Sequence, residues 1–219
     1  MDKLTKNLSR LLDQTNDGEP IPSNVVTLTD PVEIAAFWRS ELESVEKELP
    51  SLFEQQEGEW VLANEKTDDI DFIRLSAQYG TAISALKEFE PIKASEALLP
   101  FWLFALRKYF WRASNYVITL QHYAGNPVLK KELLALYRKG KNYESYRYHL
   151  VTCLTYQFSF SDRELRDFYK LLQEEKSALV QYAWYRLLIH CSHDPQLMAT
   201  LKTQLSKSSE AYLKVLVLE

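Results

Sequence analysis

The chain has 219 residues, 46% hydrophobic and 26% charged, with a formal net charge of −4; that is enough apolar material for one sizeable core and excludes wholesale disorder. Two cysteines, Cys153 and Cys191, exclude a disulfide framework, and five scattered glycines exclude a glycine-rich phosphate cradle or a nucleophile elbow. No apolar run reaches the ~18 residues of a membrane helix, and residues 1–14 carry charges throughout, so a cytoplasmic protein without a signal peptide or membrane span is expected.

Residues 1–29 read as an N-terminal helix followed by an extended arm, because Gly18, Pro20 and Pro22 interrupt any longer periodicity. Asp30-Pro31-Val32-Glu33 then places a capping residue, a first-turn proline and an early acid in the order that starts a helix. Behind it Ala35, Trp38, Leu42, Val45 and Leu49 alternate spacings of three and four up to Pro50, the pattern of one buried stripe. Residues 50–67 are polar around Gly58, with Trp60, Val61 and Leu62 as a short apolar run, and fit a hairpin or an ordered loop. Helices over 68–79 and 81–89 follow, separated at Gly80.

From residue 92 onward the chain reads as helix after helix. Segments 101–109 and 111–123 are strongly apolar, and Phe104 and Trp111, seven apart, fit a core stripe. Asn126-Pro127, Ser161-Asp162 with Glu164, and Asp194-Pro195 are three further start signals, each followed by periodic leucines. Segments 143–156 and 178–191 are apolar around most of their circumference and mark central helices. Residues 213–218 close the chain as a last helix. The expected class is therefore all-α, with stacked antiparallel helical hairpins forming a solenoid-like array or an irregular bundle, in one domain with an acidic part (30–90) and a basic part (91–219).

Leu129, Leu165 and Leu197 stand just beyond the three start signals, 36 and 32 residues apart. Each unit pairs a more polar first helix with a more apolar second one. On these residues the chain resembles HEAT/armadillo-type α-helical repeats over roughly 92–219. The resemblance implies an extended binding surface for another macromolecule.

Charge is unevenly distributed. Residues 1–90 hold eight Lys/Arg against nineteen Asp/Glu, and residues 91–219 hold eighteen against eleven. Such a split fits a partner of opposite sign or one half docking on the other. Two candidate partner-binding sets follow: an acidic one, Glu54, Glu57, Glu59, Asp68, Asp69 and Asp71, and a basic and aromatic one, Arg107, Lys108, Arg112, Lys130, Lys131, Arg138, Lys141, Tyr143 and Arg147. The first expectation is a non-enzymatic protein-binding module without a cofactor, of the kind bacterial immunity or antitoxin proteins represent, whose acids steer a basic toxin or nuclease. The second is nucleic-acid binding, since arginines among aromatics suit phosphate pairing and base stacking, and HEAT-like DNA glycosylases share the architecture. The third is a helical metal enzyme using Asp68, Asp69 and Asp71, or His190 and His193. Against the third, first-turn acids complement a helix dipole, and His193 precedes a new helix start. His122 and His190 are expected at helix C-termini, where an imidazolium is favoured. His149 is expected to be partly buried and hydrogen-bonded, and Cys153 an inert buried thiol.

Overall fold

The computed structural model describes residues 30–140, 142–208 and Leu216. The expected N-terminal helix and arm, Lys141 and most of the expected last helix lie outside the described residues; Leu216 itself is buried.

Helix α1 (Pro31–Glu48) starts where the sequence places it: the Asp30 carboxylate accepts the Val32 N–H at 2.9 Å, closing one of the donors that a first turn leaves open. A 3₁₀ turn at Leu49–Leu52 leads into a hairpin, β1 (Phe53–Gln56) and β2 (Glu59–Leu62), with Phe53 opposite Leu62 and Gln56 opposite Glu59. Glu57 and Gly58 both take positive φ, 51° and 84°, as a two-residue turn of the I′ kind requires. Residues 53–62 of the expected 50–67 segment are thus a tight hairpin, held by Phe53 and Trp60 against Phe101.

Helix α2 (Glu65–Leu86) runs without a break, correcting the expected interruption at Gly80. Gly80 serves packing instead. A Cβ built on it would lie 3.2 Å from the Thr119 Oγ1, so its absence lets α2 approach a neighbouring helix closely. Helix α3 (Leu99–Lys108) ends at Tyr109, which leaves helical geometry with φ −111° and ψ 48°. The expected helix 111–123 is only α4 (Ala113–Leu120), flanked by 3₁₀ turns at Phe110–Arg112 and Gln121–Tyr123. After them come α5 (Pro127–Lys139), α6 (Glu144–Gln157), α7 (Asp162–Glu174), α8 (Ala178–Cys191) and α9 (Pro195–Lys207). Asn126 caps α5 through Val128 and Leu129, Ser161 and Glu164 form the expected capping box on α7, and Asp194 caps α9.

One row of helices runs α1, α2, α4, α6, α8, each packed on the next, with α9 against α8. The other helices back this row: α3 against α4 and α5, α5 against α6, α7 against α8. This is an all-α array of stacked hairpins with a small two-stranded sheet at one side. Its acidic part is closed by an aromatic core of Phe53, Phe72, Phe101, Trp102 and Tyr109. Its basic part centres on Tyr137, Phe168 and Trp184. Burying each large apolar side chain is worth roughly 1.5–3 kcal/mol. Tyr146 ties α6 to α3 by donating to the Leu106 carbonyl at 2.8 Å. Among the described residues no helix is long and apolar enough to cross a membrane.

Candidate protein-docking surface

The acidic residues divide into two groups. Glu54, Glu57 and Glu59 stand exposed on the hairpin, where Glu54 accepts a hydrogen bond from Gln56 at 2.7 Å and Glu59 lies 3.9 Å from Arg107. Asp68, Asp69 and Asp71 are spent inside the molecule. Asp68 accepts the Asn64 N–H at 2.7 Å and so closes the start of α2. Asp69 takes Lys108 at 2.9 Å and the Tyr109 hydroxyl. Burial pushes Asp69 up, but Tyr109 and Lys108 outweigh it and hold the carboxyl below its ordinary value. Asp71 meets Arg74, which also reaches Glu48 on α1 at 2.9 Å. The three carboxylates therefore point to three separate tasks. Among the described residues no group of three or more His, Cys, Asp or Glu is placed to hold a metal ion.

The basic set does not form one patch. Arg107 lies between Glu59 and Glu132, and Lys108 between Glu65 and Asp69, so the C-terminal end of α3 ties the basic part to the acidic part. Lys130 pairs with Glu164 at 2.6 Å, donates to the Ser159 carbonyl and covers the Phe160 ring. Arg147 is half-buried and pairs with the buried Glu175. Tyr143 is exposed and packs on Phe110. Arg112, Lys131 and Arg138 are exposed and form no ion pair among the described residues. Lys141 lies outside the described residues.

The remaining titratable candidates are bland in their geometry. Helix α8 ends at Cys191 and Ser192 is extended, so His190 and His193 do not share a helical face. His122 departs from expectation: burial and the nearby Lys87 hold it below its ordinary value, overriding the helix end. His149 is half-buried with its ring against Tyr148, and burial lowers it too, but no hydrogen bond to it is present among the described residues. Cys153 is buried, as expected, and burial pushes its thiol up to about 12.

A surface that shares only Arg112 with the two sets lies between α2 and α4. An open groove of about 580 Å³ has Ile73, Ala77 and Gly80 on one wall and Arg112, Asn115 and Ile118 on the other. The side chains along α2 are small there because the two helices approach closely at Gly80. No carboxylate lines the groove, in a chain with thirty of them. Ile118 is 50% exposed, Ile70, one turn before Ile73, is 72% exposed, and Trp111, next to Arg112, is 64% exposed. Trp111 thus corrects the expected core stripe with Phe104. The helical period stops at Tyr109, and the 3₁₀ turn swings the indole outward. Arg107 and Lys108 at the end of α3 were the available signal, since basic residues favour a last turn. Compared with known proteins, the chain matches no family model, no curated protein and no solved structure.

Proposed function

We propose that the protein is a non-enzymatic protein-binding module of HEAT-like construction that receives an apolar segment of a partner along the groove between α2 and α4. The observation that carries this reading is the exposure of Trp111 and Ile118 beside a carboxylate-free groove. Trp and Arg are the residues that most often anchor interfaces, and Trp111 and Arg112 bring both to this edge. Arg112, unpaired among the described residues, suits an acidic group flanking the partner's apolar residues. The nucleic-acid alternative draws less support, because Arg107, Lys108, Lys130 and Arg147 are already matched by carboxylates.

A second reading draws on the hairpin: a cytoplasmic inhibitor of immunity or antitoxin type, whose Glu54, Glu57 and Glu59 steer a basic toxin or nuclease. The two readings part in kinetics. Affinity purification from the native host should recover a stoichiometric protein, and with that partner Ile118→Asp and Trp111→Ala should raise the dissociation rate. Neutralising the hairpin with Glu54→Gln, Glu57→Gln and Glu59→Gln should lower the association rate at low salt if the steering role holds. Recovery of no stoichiometric protein with either tagged terminus, or a partner whose binding ignores Ile118→Asp, overturns the groove reading.

A further inference from the structure

One half-buried cation in this fold lacks an anion. Among the described residues five Lys or Arg side chains are half-buried, and four of them meet a carboxylate: Arg74 with Glu48, Lys108 with Asp69, Lys130 with Glu164 and Arg147 with Glu175. Arg186, on α8, is the fifth and forms no ion pair among the described residues. A charge drawn partly out of water without a counter-charge carries an uncompensated cost. Aromatic rings offset part of it. The Arg186 guanidinium lies 5.6 Å from the Tyr156 ring and 5.8 Å from the Tyr182 ring, and its Nη2 donates to the Tyr156 hydroxyl. That one hydrogen bond leaves the other N–H donors of the fork unused. The cluster is open to solvent: Tyr156 is 52% exposed, and Leu179, a turn before Tyr182, is 41% exposed.

The surroundings set the chemistry of what Arg186 lacks. Helix α8 holds no Asp or Glu, and α6 holds only Glu144, in its first turn, twelve residues and about 18 Å from Tyr156. Neither helix holds a lysine, and Arg147 is already matched by Glu175. One available cation fits one carboxylate of a protein partner, whereas a nucleic-acid strand needs a track of cations along its phosphates. Arg186 stands more than a turn before the end of α8, clear of the carbonyl end whose repulsion of anions fades within the last turn. Beyond it, Tyr156 and His190 face each other with rings 5.5 Å apart, at the rim of a cleft of about 410 Å³ that Phe158 and Phe160 also line. A half-desolvated arginine framed by tyrosines beside an aromatic recess has the make-up of an interface anchor.

We propose that the exposed edge between α6 and α8 docks a protein partner through a single Asp or Glu side chain paired with Arg186, with an adjoining apolar or aromatic residue of the partner in the cleft beside Tyr156. This site is separate from the groove between α2 and α4, and neither needs the other. Its test uses random 12-residue peptides displayed on phage, panned on the full chain and counter-selected on Arg186→Gln, which keeps a polar stem and removes the charge. The enriched peptides should share an Asp or Glu next to an aliphatic or aromatic residue. The leading peptide, synthesised, should bind Arg186→Gln about tenfold more weakly or worse. On the parent chain it should weaken as much when its own acid is changed to the amide, a comparison that needs no protein variant and so holds even where Arg186→Gln loses stability. Ile118→Asp should leave its binding unchanged, which keeps this outcome apart from that of the groove. The proposal is overturned by a selection that yields no Arg186-dependent peptide, by an enriched set without Asp or Glu, or by a peptide indifferent to its own acid. An equal loss with Ile118→Asp overturns the separation of the two sites. A twelve-residue oligothymidylate that binds as tightly, with the same dependence on Arg186, overturns the assignment to a protein partner.

Discussion

Two seams between neighbouring helices show opposite ways of closing an all-α array. At the α7–α8 turn, the gap between α5, α6 and α8 is filled by large groups carrying polar tips: Tyr137, Trp184, Arg147 and Glu175. Between α2 and α4 the gap is closed by removing bulk, with Gly80 against Thr119 and small residues along α2. The first seam is held by a directional network that allows one arrangement, and any unmatched member is costly. The second brings backbones together with few directional bonds and leaves a furrow above them. A network fixes geometry from within, whereas a close approach leaves surface for something else to cover.

The largest effect should come from breaking the filled seam. Glu175→Gln leaves the half-buried Arg147 without its anion and should cost about 2–4 kcal/mol, measured by urea denaturation. Gly80→Val tests the close seam: the branched side chain meets Thr119 and should cost about 1–3 kcal/mol, with a matching fall in thermal midpoint. A Gly80→Val variant as stable as the parent would show that the helices can slide apart and that the groove is not fixed by this contact. Tyr137→Phe removes the hydroxyl that serves both Glu175 and Trp184, orphaning the indole N–H, and should cost about 1–2 kcal/mol.

The pH dependence comes next in size. His122, near the end of α4, and His149, on α6, are both held below the ordinary imidazole value by burial, His122 also by Lys87. The unfolded chain then binds protons that the folded chain refuses, so stability is full above about pH 6.5 and is lost as pH falls through the lowered folded values. Thermal midpoints between neutral and mildly acidic pH should fall, and the double variant His122→Asn/His149→Asn should flatten that fall. The smallest effect is expected on the groove's own rim: Arg112→Ala should change stability by less than about 0.5 kcal/mol while weakening partner binding. A larger loss of stability would mark Arg112 as part of the scaffold.

The starts of α1, α5, α7 and α9 are legible in the sequence, because capping is local chemistry, whereas α2, α3, α4 and α6 begin without a side-chain cap. Asp30, Asn126, Ser161 and Asp194 each cap the helix that their pattern announces. What escapes is non-local. Gly80 has the local character of a helix break, and only Thr119, far along the chain, explains it. Trp111 follows an apolar periodicity that continues across a bend at Tyr109, so spacing alone assigns it to the core. Arg147 sits among basic and aromatic neighbours and has the profile of a surface cation. It pairs instead with the buried Glu175, whose only local mark is its place just before the Ser177 cap. The acidic and basic halves show their asymmetry in composition. How far they neutralise one another emerges only when Lys108 is seen between Glu65 and Asp69.

The bend at Tyr109 has a practical consequence. Of the five tryptophans, Trp102 and Trp184 are buried, Trp38 and Trp60 are half-covered, and Trp111 alone faces solvent to more than half of its surface. An indole in that position emits at longer wavelength and is open to collisional quenchers such as iodide. The chain therefore carries a built-in optical gauge at the edge proposed to receive a partner: a blue shift with loss of quenching would register occupancy without any label, and Trp111→Phe would silence it.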